Sequence, residues 1–111
     1  MHHFRYVGSR LYCEGVPVDS LARKYGTPLY IYSQRTLTEH FEKLDRALAP
    51  LDHLICFAMK SNSNHAVLRT LADLGSGFDI VSEGELRRAL AAGADAGKCV
   101  FAGVGKTEAE I

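Results

Sequence analysis

Leu37, Phe41, Leu44 and Leu48 recur at intervals of four, three and four residues. That spacing lays a single apolar stripe along a structure of 3.6 residues per turn, and predicts a helix over about 34–49. Ser33 stands where its N-cap belongs and Pro50 lies just past its end. Next comes Leu54–Met59, an unbroken apolar run ending in Lys60. Such a run suits a strand covered on both faces, as in a parallel sheet. The alternation then repeats. Asn64 is placed to cap a helix to Leu74, with Val67, Leu68, Leu71 and Leu74 as its inner face and Gly75 as its stop. Phe78–Val81 reads as a strand. Ser82 and Glu85 have the spacing of a capping box for a helix through Ala92, ended by Gly93. Cys99–Ala102 reads as another strand, and Thr107 with Glu110 opens one more helix with a second box.

Upstream the signals are shorter. Phe4–Val7 and Leu11–Cys13 predict two strands joined by Gly8-Ser9. Asp19 is placed to cap a short helix with Leu21 and Ala22 inward, and Gly26 to stop it. Leu29–Tyr32 predicts a strand opened by Pro28. Residues 1–33 therefore form one region and 34–111 another. The second region alternates strand and helix, so the fold class is α/β with a parallel sheet and right-handed crossovers expected. Three such strands cannot close a barrel, and a complete eight-unit barrel needs roughly 250 residues. The chain is expected to be part of a larger protein; the alternative is an open three-layer α/β domain.

Composition narrows the function. Lys+Arg and Asp+Glu number 13 each in 111 residues, so there is no bulk electrostatic case for nucleic acid or an anionic membrane. No run approaches the roughly 20 apolar residues of a membrane span, and Met1–Arg5 has no apolar core of a signal peptide. Cys13, Cys56 and Cys99 form no C-x-x-C and sit in apolar, strand-like runs, which predicts buried, reduced thiols and a cytoplasmic protein. The five histidines show no metal-ligand spacing.

Three residues carry candidate chemistry. Lys60 follows a buried strand and precedes the polar turn Ser61–Asn64. In parallel α/β folds the functional face lies at the carboxyl ends of the strands. An amine against an apolar wall there is suited to attack an aldehyde, although most strand-end lysines are simply solvated. Asp79 interrupts the apolar strand Phe78–Val81; it either faces water on an alternating strand or is a buried carboxylate that needs a partner. Glu85 is accounted for by its capping role, and any catalytic duty would be additional. Gly103-Val104-Gly105-Lys106 lacks the spacing of a nucleotide phosphate loop and reads as a strand-to-helix loop on the same rim.

These blocks together resemble a known family. Phe57-Ala58-Met59-Lys60-Ser61-Asn62-Ser63-Asn64 is similar to the Y-A-V-K-A-N-x-N segment of the fold-type III pyridoxal-phosphate decarboxylases. Leu71 to Ser82 followed by Gly84-Glu85-Leu86 resembles that family's L-x-x-L-G-x-G-F-D-V-V-S-x-G-E-L. Gly26–Tyr32 resembles its G-T-P-L-Y-V-Y, and Val100–Lys106 its next strand and loop. Phe57, Met59 and Ser61 stand where the family often has Tyr, Val and Ala, which are mild changes.

The resemblance implies an alanine-racemase-like (β/α)8 barrel, of which 34–111 would be the first part, with the N-terminal strands belonging to a second β domain. It implies pyridoxal 5'-phosphate as cofactor, with Lys60 as its Schiff-base residue and Ala58 and Asp79 beside it. Glu85 would be an acidic group near the active site. The combination is most similar to the branch that converts meso-diaminopimelate to L-lysine and carbon dioxide. Arginine, ornithine or carboxynorspermidine decarboxylases, a racemase, and a non-catalytic homologue acting as a binding module are the alternatives. The resemblance further implies a small-molecule amino-acid substrate and a homodimer. It places the phosphate-binding loop, the partner of the pyridine nitrogen and the substrate-binding residues beyond Ile111, so the 111-residue chain alone is expected to be inactive.

Overall fold

The computed structural model describes residues 2–111. They form two compact units, one ending at His40 and the other running Phe41–Ile111.

The first unit opens with strands β1 (Phe4–Val7) and β2 (Arg10–Cys13), paired antiparallel with Phe4 opposite Cys13. A further strand, β3 (Val16–Pro17), returns along β2 with Val16 opposite Cys13. Two residues are too few to show a period-two pattern, so β3 is invisible to sequence periodicity. Helix α1 (Val18–Tyr25) starts at once behind it, with Pro17 at the N-cap. Asp19 was expected to cap this helix and does not. Pro17 ends β3 with φ −64°, so the helix begins two residues earlier and Asp19 falls in its first turn. Its carboxylate pairs with Arg10 at 2.8 Å and with Arg23 at 2.9 Å. The strand expected at Leu29–Tyr32 is absent: no described strand lies alongside to accept its hydrogen bonds, and Tyr30 is 85% exposed.

Helix α2 (Gln34–Leu48) has the expected cap. The Ser33 hydroxyl accepts from the Thr36 N–H at 3.0 Å and donates to Glu14 Oε1 at 2.8 Å. The Arg35 N–H donates to that same carboxylate oxygen at 2.9 Å, so Glu14 serves as a second cap. These bonds, that from Arg35 first and that from Ser33 next, hold the Glu14 carboxyl below its ordinary range. The predicted stripe is only partly covered: Leu37, Phe41 and Leu48 are half-buried and Leu44 is exposed.

The second unit is a three-stranded parallel sheet, β4 (Cys56–Ala58), β5 (Gly77–Ile80) and β6 (Cys99–Phe101), in that order. Helices α3 (His65–Asp73) and α4 (Glu83–Ala91) make the crossovers. Strand β4 is shorter than the apolar run predicts. The Asn62 N–H donates to the Met59 carbonyl at 3.1 Å and the Ser61 hydroxyl to the Ala58 carbonyl at 2.8 Å, and these bonds turn Met59–Ser61 into a 3-10 helix. Asn64 caps α3 as expected, accepting from the Ala66 N–H at 2.9 Å. Val67, Leu68 and Leu71 of α3 and Ala89 of α4 are buried with Met59, Phe78 and Ile80. At full burial each large side chain here contributes about 1.5–3 kcal/mol.

Gly77 is fixed by close approach. A Cβ there would lie 2.4 Å from the Lys98 carbonyl oxygen and 2.7 Å from Cys56 Sγ. All three thiols are free, as expected. Only Cys13 is buried, however; Cys56 and Cys99 are half-buried, because the strands they begin lie at the sheet's two edges. Burial is the first cause raising each thiol above its usual range, which disfavours the thiolate.

Candidate active site

Parallel register decides which side chains share a face. Phe57, Phe78 and Cys99 stand on one rung, and Ala58, Asp79 and Val100 on the next. Side chains alternate along each strand, so the two rungs face opposite ways. Phe78 and Ile80, on the first of these faces, are 0% and 2% exposed, and the Phe57 and Phe78 rings meet edge to face at 6.5 Å. The other face carries Ala58, Asp79 and Val100, and Val100 is 50% exposed. One face is therefore core, and the face bearing Asp79 is lightly covered.

Asp79 is half-buried, and its Oδ1 is buried without a hydrogen-bond partner among the described residues. The alternative of a carboxylate wholly in water does not hold for this oxygen. An unmade hydrogen bond to a buried acceptor costs about 1–3 kcal/mol, more for a charged group. Such an atom calls for a donor.

Lys60 lies in the 3-10 turn directly after β4, two residues beyond Ala58, at the same carboxyl-end edge. Met59 beside it is 0% exposed, whereas Lys60 itself is exposed. The apolar wall expected around its ammonium is therefore not closed by the described residues. No ion pair among them engages it. The following turn is bonded to itself, with the Asn64 N–H donating to Asn62 Oδ1 at 3.0 Å.

Glu85 is half-buried at the start of α4. Its N–H donates to the Ser82 hydroxyl at 3.2 Å, as a capping box requires. Its carboxylate departs from the expected box by accepting from the Val81 N–H at 2.8 Å, one residue upstream of the N-cap. That bond fixes the end of β5 immediately after Ile80. The structure thus gathers Ala58, Asp79, Lys60 and Glu85 at or next to the carboxyl ends of β4 and β5. A cavity of about 430 Å³ lined by His2, His3, Arg5, Glu14, Gly15 and Arg35 belongs to the other unit and contains none of them.

One residue of this rim escaped sequence reasoning. Glu110 forms the expected box with Thr107, whose N–H and hydroxyl both donate to Glu110 Oε2 at 2.9 Å. Its Oε1 also accepts from the Glu83 N–H at 3.2 Å, across 27 residues of sequence. No local pattern announces that contact.

Residues 34–111 match the family model described as "Pyridoxal-dependent decarboxylase, pyridoxal binding domain". The chain belongs to the pyridoxal-dependent decarboxylases. A diaminopimelate decarboxylase of Vibrio cholerae is 57% identical over 100% of this chain and 27% of its own length. One of Haemophilus influenzae is 56% identical over the same shares, 100% and 27%. A crystal structure from Aquifex aeolicus superposes with a TM-score of 0.91 at 45% identity, over 97% of this chain and 27% of that one. Diaminopimelate decarboxylase from M. jannaschii, in co-complex with L-lysine, gives 0.88 at 33% identity over 94% and 25%. The chain thus spans about a quarter of the length of the relatives it matches. The parallel unit is the opening part of a (β/α)8 barrel of this family. No described helix is long and apolar enough to cross a membrane.

Proposed function

We propose that the full-length protein decarboxylates meso-diaminopimelate to L-lysine and carbon dioxide with pyridoxal 5'-phosphate, and that this chain supplies the lysine that holds the cofactor. The observation that carries the site is the buried Asp79 Oδ1 without a donor, one rung from the turn that presents Lys60. A group bearing a positive charge or an N–H at that place satisfies this oxygen, and pyridoxal phosphate bound to an amine carries both. The residues present therefore fit the cofactor. The substrate follows from the 57% and 56% identity to proteins named diaminopimelate decarboxylase, and from a similar structure described in complex with L-lysine.

Each residue has a task. The Lys60 amine would condense with the cofactor's aldehyde, whose oxygen leaves as water, and its exposure leaves it reachable. The cofactor, when bound, acts as an electron sink while the bond to the leaving carboxylate breaks. Ala58, lacking atoms beyond Cβ, leaves room on the Asp79 rung for a flat ring. Asp79 would accept a hydrogen bond from the bound group and hold its orientation. Glu85 would add negative charge to the rim while its bond to Val81 fixes the end of β5. Residues 1–33 would belong with a second β domain, and 34–111 with the barrel. The whole protein would act as a cytoplasmic homodimer on a small amino acid.

The test is product formation by the purified full-length protein. Release of carbon dioxide and L-lysine from meso-diaminopimelate, dependent on added pyridoxal phosphate, is expected. Turnover of L-lysine, arginine or ornithine in preference to meso-diaminopimelate would reassign the substrate. Failure to turn over any amino acid would leave the non-catalytic reading.

A further inference from the structure

Two loops leave the carboxyl ends of adjacent strands beside Asp79. The first, Val81–Ser82, joins β5 to α4; the second, 102–107, follows β6. Three observations tie them together. The Ala102 N–H donates to the Ile80 carbonyl at 3.0 Å, which extends the β5–β6 ladder past its last pair. Gly103 then presses against the first loop: a Cβ there would lie 2.8 Å from the Val81 carbonyl oxygen and 2.8 Å from the Phe101 ring. Finally, Glu110 Oε2 takes both donors of Thr107 while its Oε1 takes the Glu83 N–H.

The last contact spans the two loops. At its N-terminus α4 has orphan backbone donors that need acceptors. The Ser82 hydroxyl satisfies the Glu85 N–H, and the Glu110 carboxylate, from a different part of the chain, satisfies the Glu83 N–H. Next to them the Glu85 carboxylate satisfies the Val81 N–H. Two glutamates thus hold the backbone on either side of Ser82, one from within α4 and one from the 3-10 turn Glu108–Glu110 that follows the loop after β6. A carboxylate can do this because each oxygen accepts independently.

We propose that Glu110 is a positioning residue for the candidate active site: its carboxylate clamps the loop after β6 to the start of α4, and so fixes the rim beside Asp79 and Lys60 for the cofactor. The inference rests on the function proposed above, and it adds a residue outside the four already assigned to the site. Glu110 touches no reacting atom in this role. It acts through Glu83, Thr107 and the loop they anchor.

Glu110→Gln is the informative variant because it keeps size and shape. The amide has one accepting oxygen and one donating nitrogen, so it can serve Thr107 or Glu83 but not both. Thr107→Val is the control, because it removes the hydroxyl donor and leaves both backbone bonds to Glu110 available. Hydrogen exchange is followed at the amides of Glu83 and of 103–107 in the full-length protein. Binding of pyridoxal phosphate is titrated in parallel, and attachment at Lys60 is mapped after borohydride reduction.

In Glu110→Gln, exchange is expected to quicken about tenfold at Glu83 or at Thr107 and its loop. The cofactor dissociation constant is expected to rise about tenfold, with Lys60 still the labelled residue. Thr107→Val is expected to change both by less than about threefold. Unchanged exchange in Glu110→Gln overturns the clamp, and quickened exchange with unchanged cofactor affinity overturns its positioning role. If Lys60 of the wild-type protein takes up no cofactor, the functional reading fails instead, and the exchange data alone judge the clamp.

Discussion

Replacing Asp79 with valine should make the cofactor-free protein more stable while abolishing its capture of pyridoxal phosphate. Asp79 lies in the middle of β5, between Phe78 and Ile80, and its Oδ1 is buried without a donor among the described residues. An unsatisfied buried acceptor costs about 1–3 kcal/mol. Valine branches at Cβ instead of Cγ but is of comparable size, brings no polar atom and is favoured on a pleated strand. Its neighbours on the rung, Ala58 and Val100, are apolar and leave space. The other carboxylate oxygen reaches some water, since the residue is only half-buried, so the lower half of that range applies. The expected gain is about 1–2 kcal/mol, read from urea unfolding of the apo protein as a higher midpoint at unchanged slope. Adding pyridoxal phosphate should then stabilise the wild type and leave the variant unchanged, because a ligand stabilises only the folded state that binds it. An apo variant less stable than wild type by more than about 1 kcal/mol would show that Asp79 is satisfied in the apo protein, and would remove the observation on which the site rests.

Other perturbations test the frame around the site. Gly77→Ala must push β5 away from the Lys98 carbonyl, 2.4 Å from the added carbon, and should cost about 1–3 kcal/mol in urea unfolding. Asn64→Ala removes the cap that accepts from the Ala66 N–H, at a cost of about 1 kcal/mol, while Asn64→Asp should be close to neutral in the same measurement. The Glu14 carboxyl is lower in the folded protein than its ordinary value of 4.5. Its contribution to stability is therefore full above that value and lost as pH falls through the folded value. A carbon-13 titration of Glu14 should show the lowered midpoint, and Glu14→Gln should remove the matching acid-side loss of stability.

Local patterns and long-range contacts differ in what the sequence reveals. Ser33, Asn64 and Ser82 act as N-caps because a cap is a local event, a side-chain oxygen two or three residues from the N–H it accepts. The apolar faces of α3 and β5 were legible for the same reason, since burial repeats with the period of the element. Leu29–Tyr32 misled because alternating Tyr and Leu/Ile give strand propensity, but a strand also needs a neighbour to accept its hydrogen bonds. Asp19 misled because Pro17, the last residue of β3, itself occupies the N-cap position, so the helix starts at Val18 and Asp19 is already in its first turn. At the site, Lys60 and Asp79 stood out by residue type: a lysine closing an apolar run and a carboxylate inside one. That Asp79 Oδ1 is orphaned, that the Glu85 carboxylate accepts from the Val81 N–H and not from that of Ser82, and that Glu110 reaches Glu83 all depend on how loops from different strands settle together.

Lys60 as the cofactor-holding residue is the central claim, and reductive trapping tests it most directly. The full-length protein is incubated with pyridoxal phosphate, reduced with borohydride, digested and mapped by mass spectrometry. The account predicts a phosphopyridoxyl group on Lys60 in preference to the other lysines, and its loss from that position in Lys60→Ala together with the cofactor's visible absorbance. Label spread evenly over exposed lysines, or concentrated on a lysine other than Lys60, would contradict it.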